Sequence, residues 1–375
     1  MRRVVISTVG TSLLTNQINR SNLEEKDWYS QLRDTANSTL EKTPKDVLKI
    51  IETLKVRAIK KLEQSSTAQI RSASAELNGI YGLYQEQLEL SRQDMHWLVA
   101  TDTAQGKETA EIVESFLQTR GITVQIYTPN GLSTTSTRCF SDGIDELLTQ
   151  LDPMTSGYER VCFNLVGGFK SLQAYLNTIG MFYADEIIYI FEGVNSEVIT
   201  IPRLPIKIDE SVIEPYKVQF ALMAAGAEVS RSQLPGIQEA LIFRVDEEVT
   251  LSNWGKLIWN QSKSKILSGE LLMFPRIQYQ QSFIRDYEGI RNEGERVKLQ
   301  ETLAKVAYLL EKSKGDRSAL TGDGGVQLET YKNTAIEHFR VTLSLRVSYQ
   351  AVDGGNLSLR YYGTHDHVER SEGLR

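Results

Sequence analysis

The sequence predicts an α/β N-terminal half built on a parallel sheet, then a helical connector, then a small α+β domain at the C-terminus. Three observations lead there. Over roughly the first 200 residues short apolar runs alternate with helical patterns, the signature of parallel strands joined by crossover helices. From 206 to 273 the pattern is mainly helical. From 274 onward a strand and two helices precede alternating segments separated by hairpin-grade turns. The chain has 375 residues, beyond the size at which one hydrophobic core stops growing, so the expected division is 1–205, 206–273 and 274–375.

In chain order, the candidate strands of the first domain are RVVISTVG, HWLVATDT, TVQIYTP, RVCFNLVGG and EIIYIFEG. Residues 106–119, 137–150 and 169–183 have apolar positions three or four apart and read as crossover helices. Residues 44–92 form a helical insertion after the first strand, with Pro44 in a first turn and Thr43 as its cap. EVITIPRLPIKI, with Pro202 and Pro205, reads as an edge strand. In the connector, Ser252 is placed to cap a helix carrying Trp254 and Ile258. FPRIQYQ begins the last domain, followed by helices over 282–293 and 294–314 and a polar break TGDGG. EHFRVTLS, LRVSYQAV and LSLRYY then form a meander, the last two joined by DGGN.

Hydrophobic residues make up 41% and charged residues 24%, and no apolar stretch approaches the ~20 residues of a bilayer span. No membrane partner is expected. The opening MRRVVISTVG lacks a small-residue cleavage site, which points to the cytoplasm. Cys139 and Cys162 lack the spacing of a disulfide framework or a zinc site. The net charge of -6 disfavours nucleic-acid binding for the chain as a whole, yet residues 274–375 carry 15 Lys+Arg against 14 Asp+Glu. Three of the four histidines, His338, His365 and His367, also lie there.

Three loops at the carboxyl ends of the expected strands are rich in small polar residues: Gly10-Thr11-Ser12, Thr101-Asp102-Thr103, and Gly167-Gly168-Phe169-Lys170-Ser171. Any one of them alone reads as a tight turn with a helix cap. Together, at the end of an open parallel sheet where ligands bind, they read as a site for a phosphate-bearing ligand held by backbone amides, hydroxyls and Lys170. Neither GxGxxG nor GxxxxGKS is present, which excludes the usual dinucleotide and P-loop arrangements.

VVISTVGTSLL, LVATDTAQGKETAEIVESFL and FNLVGGFKSLQAYL followed by EIIYIFEG resemble the CRISPR-associated Rossmann fold (CARF) domain, the sensor of type III CRISPR systems, over residues 1 to about 205. The resemblance implies a Rossmann-like homodimer whose two-fold cleft binds a cyclic oligoadenylate, cyclic tetra-adenylate first among them, as an allosteric activator. By the same resemblance Thr11, Ser12, Asp102, Thr103, Gly168 and Lys170 contact the ring. Some relatives also cleave it, which gives Ser12 and Lys170 a second candidate role. Val166 stands where the family's loop often has threonine.

The last 38 residues hold the inventory of a metal-free ribonuclease: cations for a phosphorane-like charge and imidazoles for proton transfer. Arg340, Arg346 and Arg360 lie on expected strands, and His365, Asp366, His367 and Arg370 follow. Alternation puts Leu357 and Leu359 on one face and Ser358 and Arg360 on the other. No clustered carboxylates suggest a metal, and no cofactor is expected. FRVTLSLRVSYQAVDGGNLSLRYYGTHDHVER resembles the ending of the RelE/ParE toxin superfamily. That implies an mRNA interferase acting at the ribosome, with Arg346 stabilising phosphate, Arg340 contacting substrate, and His365 or His367 as acid/base. Glu369 stands where many members have a tyrosine.

Arg360 and His365 also fit the Arg-x4–6-His signature of HEPN ribonucleases, but HEPN domains are helical and LSLRYYGTHD alternates like a strand. Two other functions stay open on this sequence: a ring nuclease that destroys the messenger, and a ligand-responsive regulator without chemistry.

Overall fold

The first strand, β1 (Arg3–Thr8), is buried along nearly its whole length, as a central strand of a parallel sheet covered on both faces must be. The computed structural model describes residues 2–190, 197–321, 326, 328–330 and 336–374. They fall into two units, Met1–Ile206 and Lys207–Arg375.

In the first unit β1 is followed by α1 (Ser12–Thr15) and α2 (Trp28–Asp34), then by α3 (Lys45–Gln64), α4 (Thr67–Ala73) and α5 (Ala75–Leu83) of the insertion. Next come β2 (Met95–Val99), α6 (Ala104–Thr119), β3 (Thr123–Tyr127), α7 (Thr137–Thr155), β4 (Arg160–Asn164), α8 (Lys170–Tyr183), β5 (Glu186–Ile190) and β6 (Val198–Pro202). The sheet order is β3-β2-β1-β4-β5-β6. Its first five strands are parallel, and β6 closes the edge antiparallel to β5. All five expected parallel strands and the Pro202 edge strand are present; residues 191–193 of EIIYIFEG lie outside the described residues. Thr43 does not cap α3. Pro44 takes the cap position, and the Thr43 hydroxyl donates back to the Thr39 carbonyl at 2.8 Å.

The second unit contains α9 (Lys217–Ala224), β7 (Val229–Ser230), β8 (Ile242–Val245), β9 (Glu248–Leu251), α10 (Asn253–Leu267), β10 (Ile277–Tyr279), α11 (Gln281–Gly289), α12 (Glu293–Lys312) and α13 (Ser318–Thr321). It ends with β11 (Leu328–Thr330), β12 (Glu337–Arg340), β13 (Leu345–Val352), β14 (Asn356–Thr364) and α14 (His365–Ser371). One sheet has the order β10-β14-β13-β12-β11, antiparallel except for β10 beside β14. A hydrophobic cluster from Ile213 to Tyr362 joins the 213–274 segment to this sheet and its helices.

Residues 206–273 are not purely helical. A small sheet of order β7-β9-β8 lies within them. Its hairpin turn carries Asp246 at φ 54° instead of the glycine or asparagine that announces such turns, so periodicity does not reveal it. Ser252 caps α10 as expected, accepting from the Gly255 amide at 3.1 Å. β11 and α14 are further additions, and residues 322–325 of TGDGG lie outside the described residues. Among the described residues no helix is long and apolar enough to cross a membrane.

Inside the first unit, the Tyr84 hydroxyl lies 2.8 Å from Asp94 Oδ2 and 3.0 Å from His96 Nε2. A carboxylate only accepts, so the hydroxyl donates to Asp94 and accepts from His96 Nε2–H. Burial, reinforced by Arg3, drives the His96 pKa from 6.5 to about 3. The unfolded chain therefore takes up a proton that the folded one refuses as pH falls below about 6.5, and stability drops by about 1.4 kcal/mol per pH unit down to about pH 3. His96→Gln keeps a donor for Tyr84 without titrating. It is expected to flatten this acid slope, measured as amide exchange protection of residues 95–99 between pH 7 and pH 5; an unchanged slope refutes the assignment.

Candidate functional site

The sheet order reverses between β1 and β4, and the crevice at such a switch point is where open α/β sheets bind ligands. The loops after those two strands meet there. A Cβ on Gly10 would lie 2.8 Å from the Gly168 nitrogen, and one on Gly168, at φ +98°, would lie 2.9 Å from Thr8 Cβ. Neither position has room for a side chain. The Thr8 hydroxyl donates to the Gly167 carbonyl, and Gln173 Nε2 holds the same carbonyl at 2.9 Å. Phe169 starts α8 without a side-chain cap, so the first-turn amides beside exposed Lys170 and Ser171 keep no intrahelical partner. Thr11 begins α1, and the buried Ser12 Oγ has no hydrogen-bond partner among the described residues.

Glu76 on α5, fully buried, accepts the Gly10 amide at 2.7 Å and the Ser74 hydroxyl at 2.7 Å. Sequence reasoning missed it, because nothing in the spacing of the insertion announces which acid turns inward. The third loop is built differently. Thr101 and Thr103 are buried and hydroxyl-bonded to each other at 3.1 Å, and Thr103 caps α6 through the Gly106 amide. Asp102 pairs with Lys107 at 2.6 Å and accepts the Gly131 amide at 3.0 Å. Burial opposes its charge, but these two partners outweigh it and hold the carboxyl below its ordinary range. The structure thus joins the first and last loops around Glu76, while Thr101, Asp102 and Thr103 spend their polar groups on α6 and the turn at Gly131.

In the second unit, strand register assembles a polar face. Glu329, His338 and Ser348 lie abreast on β11, β12 and β13, and Arg340, Arg346 and Gly363 lie abreast on β12, β13 and β14. Glu329 holds Arg340 at 2.5 Å and His338 Nε2 at 3.3 Å. Burial and the neighbouring Arg346 push His338 below the ordinary imidazole range, against the pull of Glu329. Arg346 is different: its Nε and Nη1 are buried and have no hydrogen-bond partner among the described residues.

Arg360 sits at a bulge, skipped between the Ser348–Tyr361 and Tyr349–Leu359 pairs. Its guanidinium grips the buried Glu372 carboxylate at 2.8 to 3.0 Å, and Ser348 donates to that carboxylate at 2.6 Å. Arg360, expected in the catalytic group, is therefore committed to fastening α14. His365 Nε2 lies 3.1 Å from Glu369 and its Nδ1 3.8 Å from Asp366, while His367 Nε2 lies 3.3 Å from Asp286 on α11. The ligand atoms of His365, Asp366 and Glu369 fall within 4.8 Å of one another. The imidazole stands between the two carboxylates, with Glu369 at Nε2 and Asp366 toward Nδ1.

Residues 71–204 match the model of a family described as CRISPR-associated protein (Cas_APE2256). The match supports a CRISPR-associated protein. It runs from α4 past β6 and so includes Glu76, Thr101–Thr103 and Gly167–Ser171, and it starts after Gly10–Ser12.

The pairing on the polar face makes a stability prediction. Arg360→Ala strands a buried carboxylate and is expected to cost about 3 kcal/mol. Arg346→Ala strands none and is expected to change stability by no more than about 0.5 kcal/mol. Urea unfolding of the two full-length variants measures the difference, and equal midpoints refute the division of roles.

Proposed function

We propose that this CRISPR-associated chain is a messenger-activated ribonuclease, whose first unit binds a cyclic oligoadenylate and whose second unit cuts mRNA held by the ribosome. The observation that carries the reading is Arg346. A guanidinium stays charged at any working pH, and buried N–H groups left without acceptors are costly. Among the described residues of a face where Arg340 and Arg360 already hold carboxylates, the Arg346 guanidinium is left for a substrate phosphate. Its charge would stabilise the pentavalent transition state, and chemistry at the 2'-hydroxyl needs no metal.

For the first unit, the reading rests on the resemblance to CARF sensors and the family match, supported by three features at the switch point. These are the apposed glycine loops, the uncapped start of α8 with Lys170, and the unpartnered Ser12 hydroxyl. Backbone amides at a helix start and one lysine suit phosphates. A homodimer with a two-fold axis would suit a ring of identical units.

The test is to titrate full-length protein with cyclic tetra-adenylate and then offer free RNA or programmed ribosomes. Cleavage is expected on ribosomes and only with messenger; none on either substrate overturns the reading. Lys170→Ala is expected to abolish messenger binding with the fold intact, and unchanged affinity in a direct titration removes Lys170 from the site. Arg346→Ala is expected to lower cleavage at least about 100-fold with messenger affinity unchanged. Wild-type cutting by that variant moves the active site elsewhere and favours a ring nuclease.

A further inference from the structure

We propose that Asp286 and His367 form the proton-transfer pair of the RNA cleavage site, with the His367 ring as general base toward the 2'-hydroxyl and Asp286 as its positioning residue; this rests on the ribonuclease reading above. The argument begins with strand register. Arg346 on β13 lies directly opposite Gly363 on β14, and side chains of directly opposed residues project from the same face of a sheet, about 4.5–5.5 Å apart at Cβ. Gly363 brings none. A Cβ built there would lie 2.7 Å from Cδ2 and 3.2 Å from Cγ of His367, so the imidazole occupies the place that a side chain at position 363 would fill. The ring therefore sits on the face that carries Arg346, and the glycine is what lets it lie there.

Two anchors fix the ring. α14 opens at the Thr364 cap, whose hydroxyl accepts the His367 amide at 3.3 Å, and its far end is fastened by Glu372 in the grip of Arg360. From α11, Asp286 Oδ1 lies 3.3 Å from His367 Nε2, while Oδ2 accepts the Tyr362 amide at 2.9 Å. The backbone of β14 thus sets the orientation of Asp286, and Asp286 sets that of the ring. At 44% exposure His367 is open to a substrate, and Asp286, at 19%, supports it from behind. His365 is placed otherwise, with Glu369 at its Nε2 and Asp366 toward its Nδ1.

A carboxylate only accepts, so the contact with Asp286 puts the hydrogen of the neutral ring on Nε2 and leaves a lone pair at Nδ1. No partner for Nδ1 is found among the described residues. A phosphate held by Arg346 brings the attacking 2'-hydroxyl with it, about 3–3.5 Å from phosphorus in a near-attack arrangement. In the step, Nδ1 takes the 2'-hydroxyl proton as the 2'-oxygen bonds to phosphorus and the bond to the 5'-oxygen breaks. The departing 5'-oxygen takes a proton from water, and the imidazolium returns its proton to the hydroxide so formed. The products are a 2',3'-cyclic phosphate and a 5'-hydroxyl, with no co-reactant. An imidazolium formed beside the Arg346 cation needs a counter-charge, which the Asp286 carboxylate supplies.

The experiment has two arms on full-length protein. In the first, the ring nitrogens of isotope-labelled histidines are observed by NMR at about pH 9, where imidazoles are neutral, with His367→Gln identifying the resonances. Nε2 of His367 is expected to carry the proton and Nδ1 to be bare. In Asp286→Asn the single amide oxygen is expected to keep the Tyr362 amide and to turn the amide nitrogen toward Nε2, which reverses the tautomer. A proton on Nδ1 in the unaltered protein, or a tautomer unchanged by Asp286→Asn, overturns the positioning role. In the second arm, messenger-stimulated cleavage is measured on programmed ribosomes. His367→Gln and Asp286→Asn are each expected to lose at least about 100-fold, as for a missing general base, and His365→Gln to lose less. Wild-type cutting by His367→Gln, or an equal or greater loss in His365→Gln, overturns the assignment and leaves the ribonuclease reading standing. Absence of cleavage by the unaltered protein defeats that reading and the base role together.

Discussion

Buried polar groups must find partners, and that constraint sorts the residues of both units into those that hold the fold and those left for a ligand. Glu76, Asp102, Glu329 and Glu372 are acids at or near the two candidate sites, and each is paired inside the chain. Arg340 and Arg360 are likewise occupied. Among the described residues, the groups without such a partner include the Ser12 hydroxyl and Nε and Nη1 of Arg346, and the start of α8 has no side-chain cap. A helix start and a guanidinium both suit phosphate.

The same constraint explains how a short C-terminal helix acquires a fixed orientation. Seven residues are too few for an isolated helix to be stable. α14 is instead held by Val368, fully buried, by the Thr364 cap, and by the Glu372 carboxylate in the grip of Arg360 and Ser348. The bulge at Arg360 makes that grip possible. It adds one residue to β14 so that Arg360 and Tyr361 both stay on the polar side while Leu359 and Tyr362 stay in the core. Without the added residue, alternation would carry one of the two core side chains outward.

In the first unit, the glycines work by absence. Thr8, Gly10, Gly167 and Gly168 bring two loops to within a Cβ of each other, and Glu76 fills the space behind them. A buried acid beneath a phosphate site would repel its ligand if unpaired. Two donors, the Gly10 amide and the Ser74 hydroxyl, satisfy the Glu76 oxygens from within the chain. The family match covers Glu76 and the Gly167–Ser171 loop, so both walls of this packing except the first loop lie within the matched segment.

The sequence by itself determined the parallel strands, their crossover helices and the edge strand at Pro202, because burial on both faces of a sheet writes itself into local runs of apolar residues. It likewise set the Ser252 cap and the turning of Arg360 away from Leu357 and Leu359, which follow from spacing, whereas the faces of Tyr361 and Tyr362 depend on the bulge. It also nominated Arg346, Lys170 and the glycine loops, because chemistry restricts residue type. It did not separate Arg346 from Arg360, or His365 from His367, since each pair is identical in type and differs only in partners brought from elsewhere. Glu372 reaches Arg360 from twelve positions away, Asp286 reaches His367 from eighty-one, and Glu76 reaches Gly10 from sixty-six. Those choices belong to the tertiary structure, because a side chain's role is decided by which acceptors packing places within hydrogen-bond distance, and local periodicity carries no information about them.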